Sequence, residues 1–351
     1  MQSALIQQVE EFNDSTMVRD FLNQTGISER LNRSDVTEVY FNRPLEIFTA
    51  TDEYPSGLRE EVPWLSFDLC MKLANSLAAF NKTTLSAKAP LHTLKLPNSF
   101  PEGTRGTLVM PPACESGTIS LTIRKPSTSR HPLSSFNDSG RFANIRAISS
   151  SEIVLAPWQA TMMKAHSEKE WLKFFTLAIE HKQNIIIFGG PGSGKTTFAK
   201  ALVDLFPSSR RLITIEAVNE MVLPNHPNRV HLLYGQTVEP KELVAITMRM
   251  KPDHLFLAEL TGDEAWHFIE TLNTGVPGTV TTAHANDSIS GYARVCGLVK
   301  QSEVGKGLDY AYIERLVKTS FDIVIYMEKT HLLEVHYDPQ HKLDLLNGKV
   351  A

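Results

Sequence analysis

Apolar residues follow two different rhythms along this chain, and the change of rhythm divides it. In the first third the rhythm is short alternation. Residues 119–124 show it best, with Ile119, Leu121 and Ile123 alternating with Ser120, Thr122 and Arg124. A period of two puts one set on each face of a strand. The aliphatic face is expected to be buried and Arg124 to stand on an open face. Residues 36–41, 45–49 and 106–110 read as companion strands, and 66–80 as a helix packed on their sheet. Residues before Ser34 read as a polar helical lead-in. Residues 1–125 are therefore expected to form a small α+β domain.

Residues 126–151 are rich in Ser, Pro, Gly and Asn and read as a linker. It is long beside the roughly two to eight residues of a usual connection. After a helix expected at 168–181 the rhythm becomes continuous. Apolar runs recur at 185–188, 212–215, 254–258, 279–282 and 323–326, separated by helical stretches. Uninterrupted apolar strands alternating with helices predict a parallel sheet covered on both faces. Asp338-Pro339 is expected to turn a terminal hairpin. Residues 152–351 thus read as a second, α/β domain.

Composition narrows the partners. A formal net charge of −4 and a pI near 6.3, with no clustered basic block, argue against direct nucleic-acid binding. No apolar run is long enough to span a bilayer. The first residues lack the charged-then-apolar pattern of a signal peptide. Three scattered cysteines, Cys70, Cys114 and Cys296, fit a reducing, cytoplasmic setting. The twelve histidines form no metal-ligand spacing; His331, His336 and His341 are expected on exposed strands and a turn.

The chemistry begins at Gly189-Gly190-Pro191-Gly192-Ser193-Gly194-Lys195-Thr196, which fits the phosphate-loop pattern G-x-x-x-x-G-K-[ST]. A plain Gly-rich turn would need neither the apolar strand before it nor the amphipathic helix opening at Thr197. Small residues let consecutive N–H groups curl around phosphate oxygens while the helix directs its positive end at them. Lys195 would reach the β- and γ-phosphates of ATP, and the Thr196 hydroxyl would ligate Mg²⁺. These eight residues and Thr197 form the expected nucleotide-binding set.

In open parallel sheets, ligands lie beyond the carboxyl ends of the strands. Glu216, Glu259 and His284 each follow an apolar run. Glu259 could orient or deprotonate the attacking water and face Mg²⁺ through it; the plainer reading is a surface acid. Glu216 could hold the metal's water shell, or else pair with Arg210 or Arg211. His284 could hydrogen-bond the γ-phosphate and report its loss, or simply be a satisfied core histidine.

These residues resemble the secretion ATPases. Thr281-Thr282-Ala283-His284-Ala285 is similar to their histidine box, Ile215-Glu216 through Glu220 to their aspartate box, and Ala258-Glu259-Leu260 to their Walker B segment. In the first half, Thr37-Glu38-Val39-Tyr40-Phe41-Asn42-Arg43-Pro44, Gly103-Thr104-Arg105 with Pro111-Pro112, and residues 120–126 resemble the traffic ATPase of type IV secretion systems, the VirB-eleven type. Arg249-Met250-Lys251-Pro252-Asp253 is similar to that family's segment before Walker B. The resemblance spans roughly residues 36–126 and 185–326.

It implies a RecA-like P-loop ATPase domain preceded by the smaller α+β domain. It also implies a homohexamer, peripheral on the cytoplasmic face of the inner membrane, working with other components and ATPases of the secretion system. ATP would lie between the two domains, and the family's nucleotide-approaching arginines map onto Arg105 and Arg124. Three positions depart from the pattern: Ala217 replaces an acid, Ala258 a Gly, and Thr261 an Arg. The leading expectation is an ATP-hydrolysing motor for substrate transfer or pilus assembly. The alternatives are a nucleotide-gated scaffold with little turnover, a pilus or type II secretion motor, and a small-molecule kinase.

Overall fold

In the computed structural model, which describes residues 15–127, 130–145 and 154–349, two sheets organise the chain. The first is antiparallel and six-stranded, in the order β3-β2-β1-β6-β5-β4, from β1 (Val36–Phe41), β2 (Glu46–Thr51), β3 (Leu58–Glu61), β4 (Leu91–Lys95), β5 (Arg105–Val109) and β6 (Ser120–Arg124). Helices α1 (residues 15–24), α2 (Ile27–Asn32) and α3 (Phe67–Phe80) cover it. Ser66 caps α3 by accepting from Leu69 N at 3.2 Å. The lead-in is less polar in effect than expected, because Val18, Leu22, Ile27 and Leu31 are buried in this core.

The second sheet has seven strands in the order β13-β12-β7-β11-β10-β8-β9. These are β7 (Ile185–Gly189), β8 (Leu212–Glu216), β9 (Arg229–Leu233), β10 (His254–Leu257), β11 (Val280–Ala283), β12 (Ile323–Glu328) and β13 (His331–His336). All pairings are parallel except β12 with β13. Both faces are apolar, as the continuous runs require. Ile186 and Phe188 face α8 (Pro240–Thr247), α9 (Glu264–Asn273), α10 (Ser288–Gln301) and α11 (Tyr310–Ser320). Ile185 and Ile187 face α5 (Pro157–Ser167), α6 (Trp171–Glu180) and α7 (Lys195–Val203).

Several expectations are corrected. The terminal hairpin turns at Lys329 and Thr330, both at positive φ; Asp338 instead caps α12 (Pro339–Leu346), accepting from His341 N at 2.9 Å. His341 accordingly lies on a helix and not a turn. The helix expected at 168–181 is shorter, α6, preceded by the unanticipated α5, with Lys169 at φ 59 in the break. The expected linker contains a short helix, α4 (Leu133–Asp138), and part of it lies outside the described residues.

The polar face of β6 is not open. Ser120 and Thr122 are buried and only Arg124 is exposed, because the first sheet packs against the β9 edge of the second. Asn42 donates to Asn228 Oδ1 at 3.0 Å, Arg43 to the Arg229 carbonyl at 2.9 Å, and Leu233 N to the Ala113 carbonyl at 2.9 Å. At the centre lies Arg211, fully buried, its guanidinium 3.7 Å over the Tyr40 ring and donating to Thr122 Oγ1 at 3.1 Å.

Candidate functional site

The site gathers beyond the carboxyl ends of β7, β10 and β11. Strand β7 ends on Gly189, where a side chain has no room: a Cβ would stand 2.4 Å from the Met327 carbonyl oxygen and 2.5 Å from Ser193 Oγ. The chain can therefore wrap tightly into the loop that opens α7. Thr330 N donates to the Ser193 carbonyl at 3.2 Å, so the β12–β13 turn braces the loop from behind. Gly190, Pro191 and Gly192 are exposed, Gly194 and Thr196 partly so, and Thr197 faces solvent in the first turn.

Lys195 is buried, and its Nζ donates to the carbonyls of Gly189 at 2.8 Å and Gly190 at 2.9 Å. Burial lowers its pKa and Glu259 opposes that shift. The ammonium thus spans the loop, where it can address a phosphate chain. Ser193 Oγ is buried with no hydrogen-bond partner, and an orphaned donor inside a phosphate loop fits an anionic ligand. Thr196, beside Lys195, has the hydroxyl that would ligate Mg²⁺.

Glu259 follows β10 on a loop held at several points. Thr282 Oγ1 donates to the Ala258 carbonyl at 2.7 Å, and Leu260 N to the Thr282 carbonyl at 2.8 Å. The buried carboxylate of Glu264 accepts from Thr261 N at 2.7 Å and Gly262 N at 2.9 Å. Sequence reasoning overlooked Glu264; the available signal was an acid two residues after Gly262, opening a helix. His284, past β11, bridges the loop and the acid. Its Nδ1 lies 3.0 Å from the Gly189 carbonyl oxygen and its Nε2 lies 2.9 Å from Glu259 Oε1. The ring thus links the backbone of the loop to the acid.

Glu216 is buried at the end of β8. Its Oε2 accepts from the backbone N–H groups of Glu220 at 2.9 Å and Met221 at 2.8 Å, whereas Oε1 has no hydrogen-bond partner. It pairs with neither Arg210, which is 3.9 Å from Asp253, nor Arg211. His231 Nδ1 stands 3.8 Å away, but burial pushes that imidazole down to about 4. The contact is therefore no ion pair at neutral pH. Tyr234, half-buried and also overlooked in the sequence, has its pKa raised by burial and then by Glu259, Glu264 and Glu216. The three carboxylates converge on one region.

Arg105 and Arg124 lie elsewhere. They are cross-strand partners on β5 and β6. The nearest acid to Arg124 is Glu38, 3.8 Å away, which also holds Lys251 at 2.5 Å. Lys251 precedes the amino end of β10, whereas the phosphate loop follows the carboxyl end of parallel β7. Within one chain the two arginines do not reach the loop.

Beside the loop a cleft of about 410 Å³ opens between Gly190–Pro191, His284 and the first turns of α10, where Ser290 and Arg294 line it. Among the described residues no group of three His, Cys, Asp or Glu side chains could hold a metal on its own. A metal bound here would depend on Thr196, on waters and on the nucleotide's oxygens, as Mg²⁺ commonly is.

A family model for type II/IV secretion system proteins matches residues 117–330. The chain is 36% identical to the type IV secretion system protein VirB11 of Brucella suis over 330 residues, covering 89% of this chain and 88% of that one. It is 32% identical to VirB11 of Bartonella quintana over 360 residues, covering 97% and 99%. The crystal structure of the Brucella suis VirB11 ATPase, solved in complex with sulphate, superposes with a TM-score of 0.89 at 34% identity, covering 96% of this chain and 99% of that one.

Proposed function

The chain belongs to the VirB11 family of type IV secretion ATPases, and we propose that it hydrolyses ATP as a hexameric motor for substrate transfer or pilus assembly. One observation carries this reading. Lys195, His284 and Glu259 meet at the mouth of the phosphate loop through hydrogen bonds of 2.8 to 3.0 Å. Lys195 binds the β- and γ-phosphates, Thr196 holds Mg²⁺, and Glu259 orients the attacking water and takes its proton. Glu216, through its unpaired Oε1, would help to order water near a metal held at Thr196. Mg²⁺ neutralises charge on the phosphates when it is bound.

Arg105 and Arg124, remote from their own loop, serve the nucleotide of a neighbouring subunit in the ring. No helix among the described residues is long and apolar enough to cross a membrane. We place the ring in the cytoplasm, peripheral to the inner membrane, in contact with other components and ATPases of a type IV secretion system. The first domain spans residues 1–125 and the RecA-like domain 152–351, joined by 126–151.

Ala217 and Thr261 favour a second reading, a nucleotide-gated scaffold with slow turnover. Steady-state phosphate release by the purified protein with ATP and Mg²⁺ separates the two. Negative-stain imaging with and without nucleotide tests the ring. Particles that stay monomeric in every nucleotide state would overturn the hexamer.

A further inference from the structure

We propose that Arg294 contacts the terminal phosphate of the ATP held by the phosphate loop, a role that rests on the nucleotide reading above. Arg294 is exposed on α10, and among the described residues its guanidinium makes no ion pair or hydrogen bond. It nevertheless lines the cleft whose other wall is Gly190, Pro191 and His284. That wall is the phosphate end of the site: the Gly190 carbonyl accepts from the Lys195 ammonium, which addresses the β- and γ-phosphates.

Helix α10 is fixed relative to the loop. Gly291 lies so close to Phe188, on the strand that feeds the loop, that a Cβ there would stand 2.2 Å from the ring. Ser288 N donates to Glu334 Oε2 at 2.9 Å, tying the helix start to β13. Residues 290 and 294 are one turn apart and share a face. Arg294 therefore stands at a set height above the loop, with a free planar fork suited to two oxygens of a phosphate. A solvated surface arginine would need no such placement, and it would not distinguish ATP from ADP.

That distinction is the test. The parent, Arg294→Ala, Arg294→Lys and Lys195→Ala would be compared as full chains with Mg²⁺, measuring the affinity for a non-hydrolysable ATP analogue and for ADP. Loss of a charged hydrogen-bond pair should weaken analogue binding at least about tenfold in Arg294→Ala. ADP affinity should stay within about twofold. Arg294→Lys, a point charge without the fork, should recover only part. Equal analogue affinity in parent and Arg294→Ala would overturn the proposal. So would a parallel loss of both nucleotides, or a loss of assembly with the ATP-to-ADP ratio unchanged; each marks a structural or interface arginine. A parent that binds neither nucleotide would instead remove the underlying reading along with it.

Discussion

Glu259 and His284 are joined by a 2.9 Å contact between Oε1 and Nε2, while the other ring nitrogen faces the Gly189 carbonyl at 3.0 Å. The contact occupies one oxygen of the carboxylate proposed to act on water. Glu259→Gln keeps the shape and loses the base, so it should bind ATP as the parent does. Phosphate release should drop by about 10²-fold or more, the scale of general-base catalysis. Undiminished release would remove Glu259 from the chemistry.

Ala217 is exposed beside Glu216, whose Oε1 is unpaired. A carboxylate at 217 adds negative charge near the proposed metal waters without touching the loop. Ala217→Asp should raise the ATPase rate roughly three- to tenfold, if it recovers about 1 kcal/mol of transition-state stabilisation. A rate at or below the parent's, with assembly unchanged, would mean that a neighbour such as Glu220 already serves.

Arg211 tests the seam between the sheets. Its Nε and Nη1 are buried without hydrogen-bond partners, and burial lowers its pKa. Stacking on Tyr40 contributes about 2 kcal/mol and the Thr122 bond about 1, against a desolvation cost of several kcal/mol. Arg211→Met, which fills the space without the charge, should match or exceed the parent in urea denaturation. Arg211→Ala should fall about 2 kcal/mol or more below the Met variant, because it leaves a cavity. A Met variant markedly weaker than the parent would show that the cation itself holds the seam.

His231 and His254 are both buried, and burial pushes each imidazole down to about 4. Between about pH 6.5 and 4 the unfolded chain takes protons at these rings that the folded chain refuses. Their contribution is therefore complete above about pH 6.5 and is lost as the pH falls toward 4, at about 1.4 kcal/mol per pH unit for each ring. His254→Gln should flatten the fall in stability between pH 6 and 5 by one such increment. Identical slopes for parent and variant would refute the assignment.

The strands that carry the site were legible because each is a short, wholly apolar run, and the phosphate loop because its residue types leave little alternative. What escaped was polar or relational. Strand β3, Leu58-Arg59-Glu60-Glu61, has no apolar face; it lies at a sheet edge, where Arg59 bonds Glu46 at 2.8 Å. Strand β9 contains His231, whose burial depends on Thr214 Oγ1 at 2.8 Å. Alternation in β6 was visible, but its polar face is covered by Arg211 from a distant part of the chain. The α/β class and the family resemblance were both readable from sequence. The separation of Arg124 from its own loop was not, since it depends on which edge of the second sheet the first one meets.

The phosphate loop is braced by a turn more than a hundred residues downstream. Thr330 N bonds the Ser193 carbonyl, and β12 runs beside β7 until Met327 stands opposite Gly189. During synthesis, then, the loop's own sequence emerges long before its brace. A nascent chain halted after α10 would carry every residue of the nucleotide signature without the floor that shapes it. The shape of the loop is thus completed only when strands far downstream have paired.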